Sequence, residues 1–139
     1  MRRSLANPPQ FALVREDGGH LVLRETLGAV AHIFVLEGDI FRIAVLPDGA
    51  WKGPATWAIA PGQSDVPSQG RPREDVGGFT CPPYTLAERD GALTIETARL
   101  RLTVKLSGFF CRWEMRRGDA WVRIARDRQT QAYDFGWWD

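Results

Sequence analysis

Apolar and polar residues alternate along most of this chain. In "RLRLTVKL", Leu100, Leu102, Val104 and Leu106 share one phase, while Arg99, Arg101, Thr103 and Lys105 take the other. A period of two lines one face of a β-strand, whereas a helix would scatter these residues around its axis. Ser107 and Gly108 then lead into "FFCRWEM", where Phe109, Cys111, Trp113 and Met115 alternate with Phe110, Arg112 and Glu114. This predicts a hairpin, with Gly108 supplying a positive φ. "RRGD" at 116–119 predicts a second turn before "AWVRI", and "TQAYDFG" predicts a further strand.

The N-terminal half repeats the pattern. "HLVLRE" (20–25), "AVAHIFVLE" (29–37) and "DIFRIAVL" (39–46) read as strands, separated by "TLG" and by Gly38 with Asp39. "YTLAERDGALTIET" places Asp90 and Gly91 between two short strands, a strong short-range hairpin signal. No segment keeps helical periodicity over ten residues or more. The pattern therefore predicts an all-β fold, an antiparallel β-sandwich formed by residues 1–139 as a single domain. Val122, Ile124, Tyr133, Phe135, Trp137 and Trp138 make an apolar C-terminal run that calls for a covering surface, so the sandwich is expected to be incomplete at that end.

Residues 47–83 break the alternation. This stretch is dense in Pro and Gly and carries Trp51, Trp57 and Phe79. Loops of this length in compact domains tend to be functional, and aromatic content argues against a plain disordered linker. An Ω-like loop packing its tryptophans over one end of the sandwich is the structural expectation; a platform for sugar rings, on which Trp51, Trp57, Trp137 and Trp138 would stack, is the functional one.

Composition narrows the function classes. Eighteen basic residues against 17 acidic ones give a formal net charge of +1. That leaves little field to attract nucleic acid or an anionic membrane. The N-terminus carries no secretory h-region and no stretch reaches the length of a membrane span, so a cytoplasmic chain is expected. Cys81 and Cys111 form neither a metal spacing nor a disulfide framework and are expected as buried thiols. His20 and His32 fall in different predicted strands, with no His or Cys at ligand spacing, so no metal is expected. His32 shares its phase with Val30 and Phe34, which predicts a half-buried strand residue.

No nucleophile, base and orienting group can be assembled from the sequence, and no cofactor motif is present. Carboxylates are plentiful, including Glu74, Asp75, Asp127 and Asp134. A glycosidase needs two of them flanking the scissile bond, and sequence does not pair them here; Asp127, between Arg126 and Arg128, is expected in a solvated turn. No catalytic residue is therefore assigned.

The strands "LTIETARLRLTVKLSGFFCRWE" and "GDAWVRIARDRQTQAYDFG", with the upstream "GDIFRIAVLPDG", resemble the galactose mutarotase-like N-terminal β-sandwich of family 31 glycoside hydrolases, the α-glucosidase and α-xylosidase group. Asp127, Arg128, Thr130, Ala132 and Tyr133 match the family's D-R-x-T-x-A-Y pattern, and "TWAIAPG" and "DVPSQGR" are similar to one bacterial branch. The resemblance spans about Leu21 to Tyr133 and rests on strand patterns. Members of that family carry their catalytic aspartates in a downstream (β/α)8 barrel, preceded by a "G-x-G-E" stretch, and neither occurs in these 139 residues.

The resemblance implies a non-catalytic domain that braces the barrel of the same parent chain and lends a loop to the substrate entrance. Trp51 and Trp57 are the carbohydrate-contact candidates. Two other classes stay open: a free-standing carbohydrate-binding module, and an interaction or assembly protein that pairs with a second copy through an exposed strand edge.

Overall fold

The computed structural model describes residues 8–51 and 72–128. They form nine strands and, among the described residues, no helix. The first four are β1 (Phe11–Asp17), β2 (His20–Glu25), β3 (Val30–Glu37) and β4 (Ile40–Leu46). They pair in chain order as an antiparallel meander. The other five are β5 (Thr85–Arg89), β6 (Ala92–Glu96), β7 (Leu100–Lys105), β8 (Phe110–Arg117) and β9 (Ala120–Arg126), also an antiparallel meander in chain order.

The two sheets share one core. Leu21, Leu23, Ala31, Ile33 and Val35 from the first meet Leu93, Ile95, Leu102, Val104 and Cys111 from the second. Phe11 packs on Phe109 with ring centroids 5.1 Å apart, and Phe41 on Trp113 at 5.9 Å. The alternation in "RLRLTVKL" is realised residue by residue: Leu100, Leu102, Val104 and Leu106 are buried, and their arginine, threonine and lysine neighbours are not. Withdrawing such side chains from water stabilises the fold by roughly 1.5–3 kcal/mol each.

Turn chemistry follows the sequence. Asp90 and Gly91 both take positive φ, 51° and 72°, as a two-residue type I′ hairpin between β5 and β6 demands. At the β7–β8 turn Gly108 has the expected positive φ of 89°, and Phe109 follows it into the left-handed region at 56° while its ring enters the core. β1 was not foreseen; its apolar alternation covers only Phe11 and Leu13 before a register shift between Leu13 and Arg15. It is held by its pairing with β2 and by Phe11 N–H donating to the Leu106 carbonyl at 2.9 Å.

Asp127 does not sit in a solvated turn: it is half-buried, its Oδ2 accepts from the Cys111 N–H at 2.8 Å, and its own N–H donates to the Cys111 carbonyl at 2.9 Å. It closes the end of β9 against β8. The predicted strand "TQAYDFG", Trp57, Asp134, Trp137 and Trp138 lie outside the described residues. Both cysteines are free, Cys111 buried and Cys81 half-buried.

Candidate functional site

The candidate site lies on the outer face of the first sheet, opposite the core. Register builds it. In the β2–β3 pair His20 faces Phe34 and Val22 faces His32, so the two histidines are diagonal cross-strand neighbours on one face. Side chains of this length reach each other along that diagonal. The His20 Nε2 to His32 Nδ1 distance is 2.8 Å.

Small and flat neighbours leave room for this pair. His32 stands opposite Ala44 of β4, and the His20 ring stacks on Phe34 with centroids 4.1 Å apart and planes 13° from parallel. Trp51, just after β4, tilts over His32 at 4.9 Å. It covers the outer face of the sheet, not one end of the sandwich as the loop pattern predicted. Cover from Trp51 and the sheet leaves His32 only 7% exposed, more deeply buried than its alternation alone implied.

The segment after residue 71 is pinned onto the same face. Arg42 Nη1 donates to the Arg73 carbonyl at 2.9 Å, and its guanidinium lies over the rings of Phe34 and Phe79 at 5.7 and 5.8 Å. The Thr80 hydroxyl and N–H both donate to the Glu37 carboxylate, and Cys81 N–H donates to the Leu36 carbonyl. These ties deliver Glu74 to the histidines. Its Oε1 accepts from the Trp51 indole N–H at 2.8 Å.

Val14, Arg15, Val22, Arg24, Val30, His32, Gly49, Trp51 and Glu74 line an open groove of about 500 Å³. Burial holds both imidazoles below their ordinary pKa; for His20 the neighbouring His32 and Arg15 add to it, and for His32 the Glu74 carboxylate opposes it while Arg15 adds to it. Both rings are thus biased towards the neutral form, which keeps a nitrogen lone pair on each. Arg15 Nη2 lies 3.4 Å from His20 Nδ1. A guanidinium only donates, so His20 Nδ1 accepts, and His20 Nε2–H then donates to His32 Nδ1.

Of the carbohydrate-contact candidates, Trp51 is therefore at the groove, half-buried, with its N–H committed to Glu74. His20, Arg15, Arg24 and Glu74 were missed. The signal for the histidines was present: counting back along the hairpin from Arg24 opposite Val30 puts positions 20 and 32 on one diagonal. Ligand spacing within a strand pairs neither histidine, and the β2–β3 register supplies the neighbour. Glu74 carried no such signal, because a loop residue has no register.

Comparison with protein-family models, curated proteins and solved structures finds no match for this chain. Among the described residues no helix is long and apolar enough to cross a membrane.

Proposed function

We propose that this chain is a non-catalytic β-sandwich domain of an α-glucosidase-type glycoside hydrolase, bracing a (β/α)8 barrel of the same parent chain and presenting the Trp51 groove towards carbohydrate. The observation that carries this reading is how seven of the described carboxylates are used. Glu25 accepts from the Leu27 N–H, Glu37 from Thr80, Glu16 from Tyr84, Glu74 from Trp51 and Asp127 from Cys111; Asp39 pairs with Arg99 and Glu96 with Arg101. Each holds a turn, strand or loop, which fits a supporting domain better than an acid and nucleophile flanking a glycosidic bond.

The groove supports the carbohydrate part. It offers an aromatic face beside Arg15, Arg24 and Glu74, an apolar surface edged by hydrogen-bonding groups of the kind that receives a sugar ring. The decisive test is the coding DNA downstream of Asp139. An in-frame barrel carrying paired aspartates is the expected result, and a stop codon directly after Asp139 overturns the parent-enzyme reading. In the parent enzyme, Trp51→Ala is expected to raise KM for an α-glucoside about three- to tenfold, the range of one aromatic contact. Unchanged kinetics with lowered stability would make Trp51 a structural cover only.

The same groove favours one second reading, a free-standing carbohydrate-binding module. It differs in predicting saturable α-glucoside binding by the 139 residues alone.

A further inference from the structure

Two imidazoles and a carboxylate converge beside the groove, of which His32 and Glu74 are lining residues. The ligating atoms of His20, His32 and Glu74 all lie within 4.8 Å of one another. We propose that His20 Nε2, His32 Nδ1 and the Glu74 carboxylate form a site for a divalent transition metal, zinc being the ion their chemistry fits best. The proposal does not depend on the accessory-domain reading.

The donor set selects the class of ion. Two imidazole nitrogens with one carboxylate suit zinc and its transition-metal neighbours, whereas calcium and magnesium favour sites made of oxygen. Three protein ligands leave a fourth tetrahedral position for water or a ligand, and here it would open into the groove. With metal–nitrogen distances of about 2.0–2.1 Å, tetrahedral ligands stand about 3.3 Å apart. The histidine nitrogens, 2.8 Å apart, need to widen by about half an ångström, and the widest separation in the cluster, up to 4.8 Å, must close by about 1.5 Å; rotations of half-buried His20 and exposed Glu74 supply both movements.

The surroundings are arranged as metal sites require. Trp51 N–H holds Glu74 Oε1, which orients the carboxylate as outer-sphere partners do. Phe34 and Trp51 lie against the imidazole rings and restrict their tilt. One neighbour opposes a cation: Arg15 touches His20 Nδ1 at 3.4 Å, a longer contact than the other two in the cluster, from an exposed side chain. On metal binding His20 Nε2 must give up its proton and Nδ1 must take one, so Arg15 swings to solvent.

The test is zinc chloride titrated into the tag-free 139-residue chain by calorimetry, with thermal unfolding alongside and cobalt(II) as a visible-absorption probe of coordination. Saturable binding of one ion per chain, a raised Tm and a tetrahedral or five-coordinate cobalt spectrum are expected. Glu74→Gln keeps an acceptor for Trp51 and removes the anionic ligand; it should weaken zinc by about 100-fold or more, since loss of an outer-sphere partner alone costs about 10–100-fold. His20→Gln should do the same, and Cys81→Ser should leave affinity unchanged. Absence of saturable binding overturns the proposal. So does binding that survives both Glu74→Gln and His20→Gln in folded protein.

Discussion

Asp127 shows how much one side chain can anchor. Its carboxylate accepts the Cys111 N–H where β8 begins, and its backbone returns the bond, so the end of β9 is fixed by a closed pair. Asp127→Ala would leave a part-buried donor without its acceptor, and a loss of about 1–3 kcal/mol is expected by chemical denaturation. The same carboxylate acts on the neighbouring thiol: burial first, then the charge and hydrogen bond of Asp127, push Cys111 up to about 12. Iodoacetamide at about pH 8 should therefore modify Cys81 in native protein while Cys111 waits for denaturant, as read by mass spectrometry. Tyr84 offers a pH test with a definite sign. Its hydroxyl donates to Glu16 Oε1 at 2.7 Å, and burial, then that bond and charge, raise it from 10.0 to about 12. The folded state holds this proton more tightly than the unfolded chain. The resulting stability is fully present below pH 10 and is lost as pH rises towards about 12. Absorbance titration of a Tyr133→Phe background should show late phenolate formation, and Glu16→Gln should bring it earlier.

At the scale of elements, β7 and β8 were legible face by face from local alternation, the other strands from β2 to β9 as apolar runs between turn residues, and the hairpin turns because Asp90, Gly91 and Gly108 occupy positions where ordinary residues are strained. β1 was not, since its alternation stops after Leu13 and its place comes from β2 and Leu106. The β7–β8 turn gives the prediction at this scale. A Cβ on Gly108 would run into the Phe110 ring, while one on Gly91 meets nothing within 4 Å, although both have positive φ. Gly91→Ala should cost only the backbone strain of about 1–2 kcal/mol, and Gly108→Ala more, because Phe110 must also move. Equal losses in urea unfolding would show that the Phe110 ring yields freely.

Across the whole molecule, the core is closed between the sheets, yet β9 leaves Val122 and Ile124 45% and 51% exposed. An apolar strip on an edge strand is the kind of surface that receives another strand or a second copy. Val122→Lys with Ile124→Lys should leave the unfolding midpoint within about 0.5 kcal/mol of wild type and lower any self-association seen by light scattering. A large loss of stability would mean that these residues already serve the fold. Alternation and turn residues by themselves determined the fold class, the presence of eight strands, the faces of β7 and β8 and most of the turns, because each of these is decided by a residue and its nearest neighbours in sequence. Only the tertiary structure decided that His20 and His32 meet across a hairpin diagonal, that Arg42 and Glu37 fasten a distant loop over them, and that Glu74 and Trp51 complete the groove. Alternation assigns a side chain to a face; the partner across that face is chosen by register and by loop closure, which no short window of sequence contains.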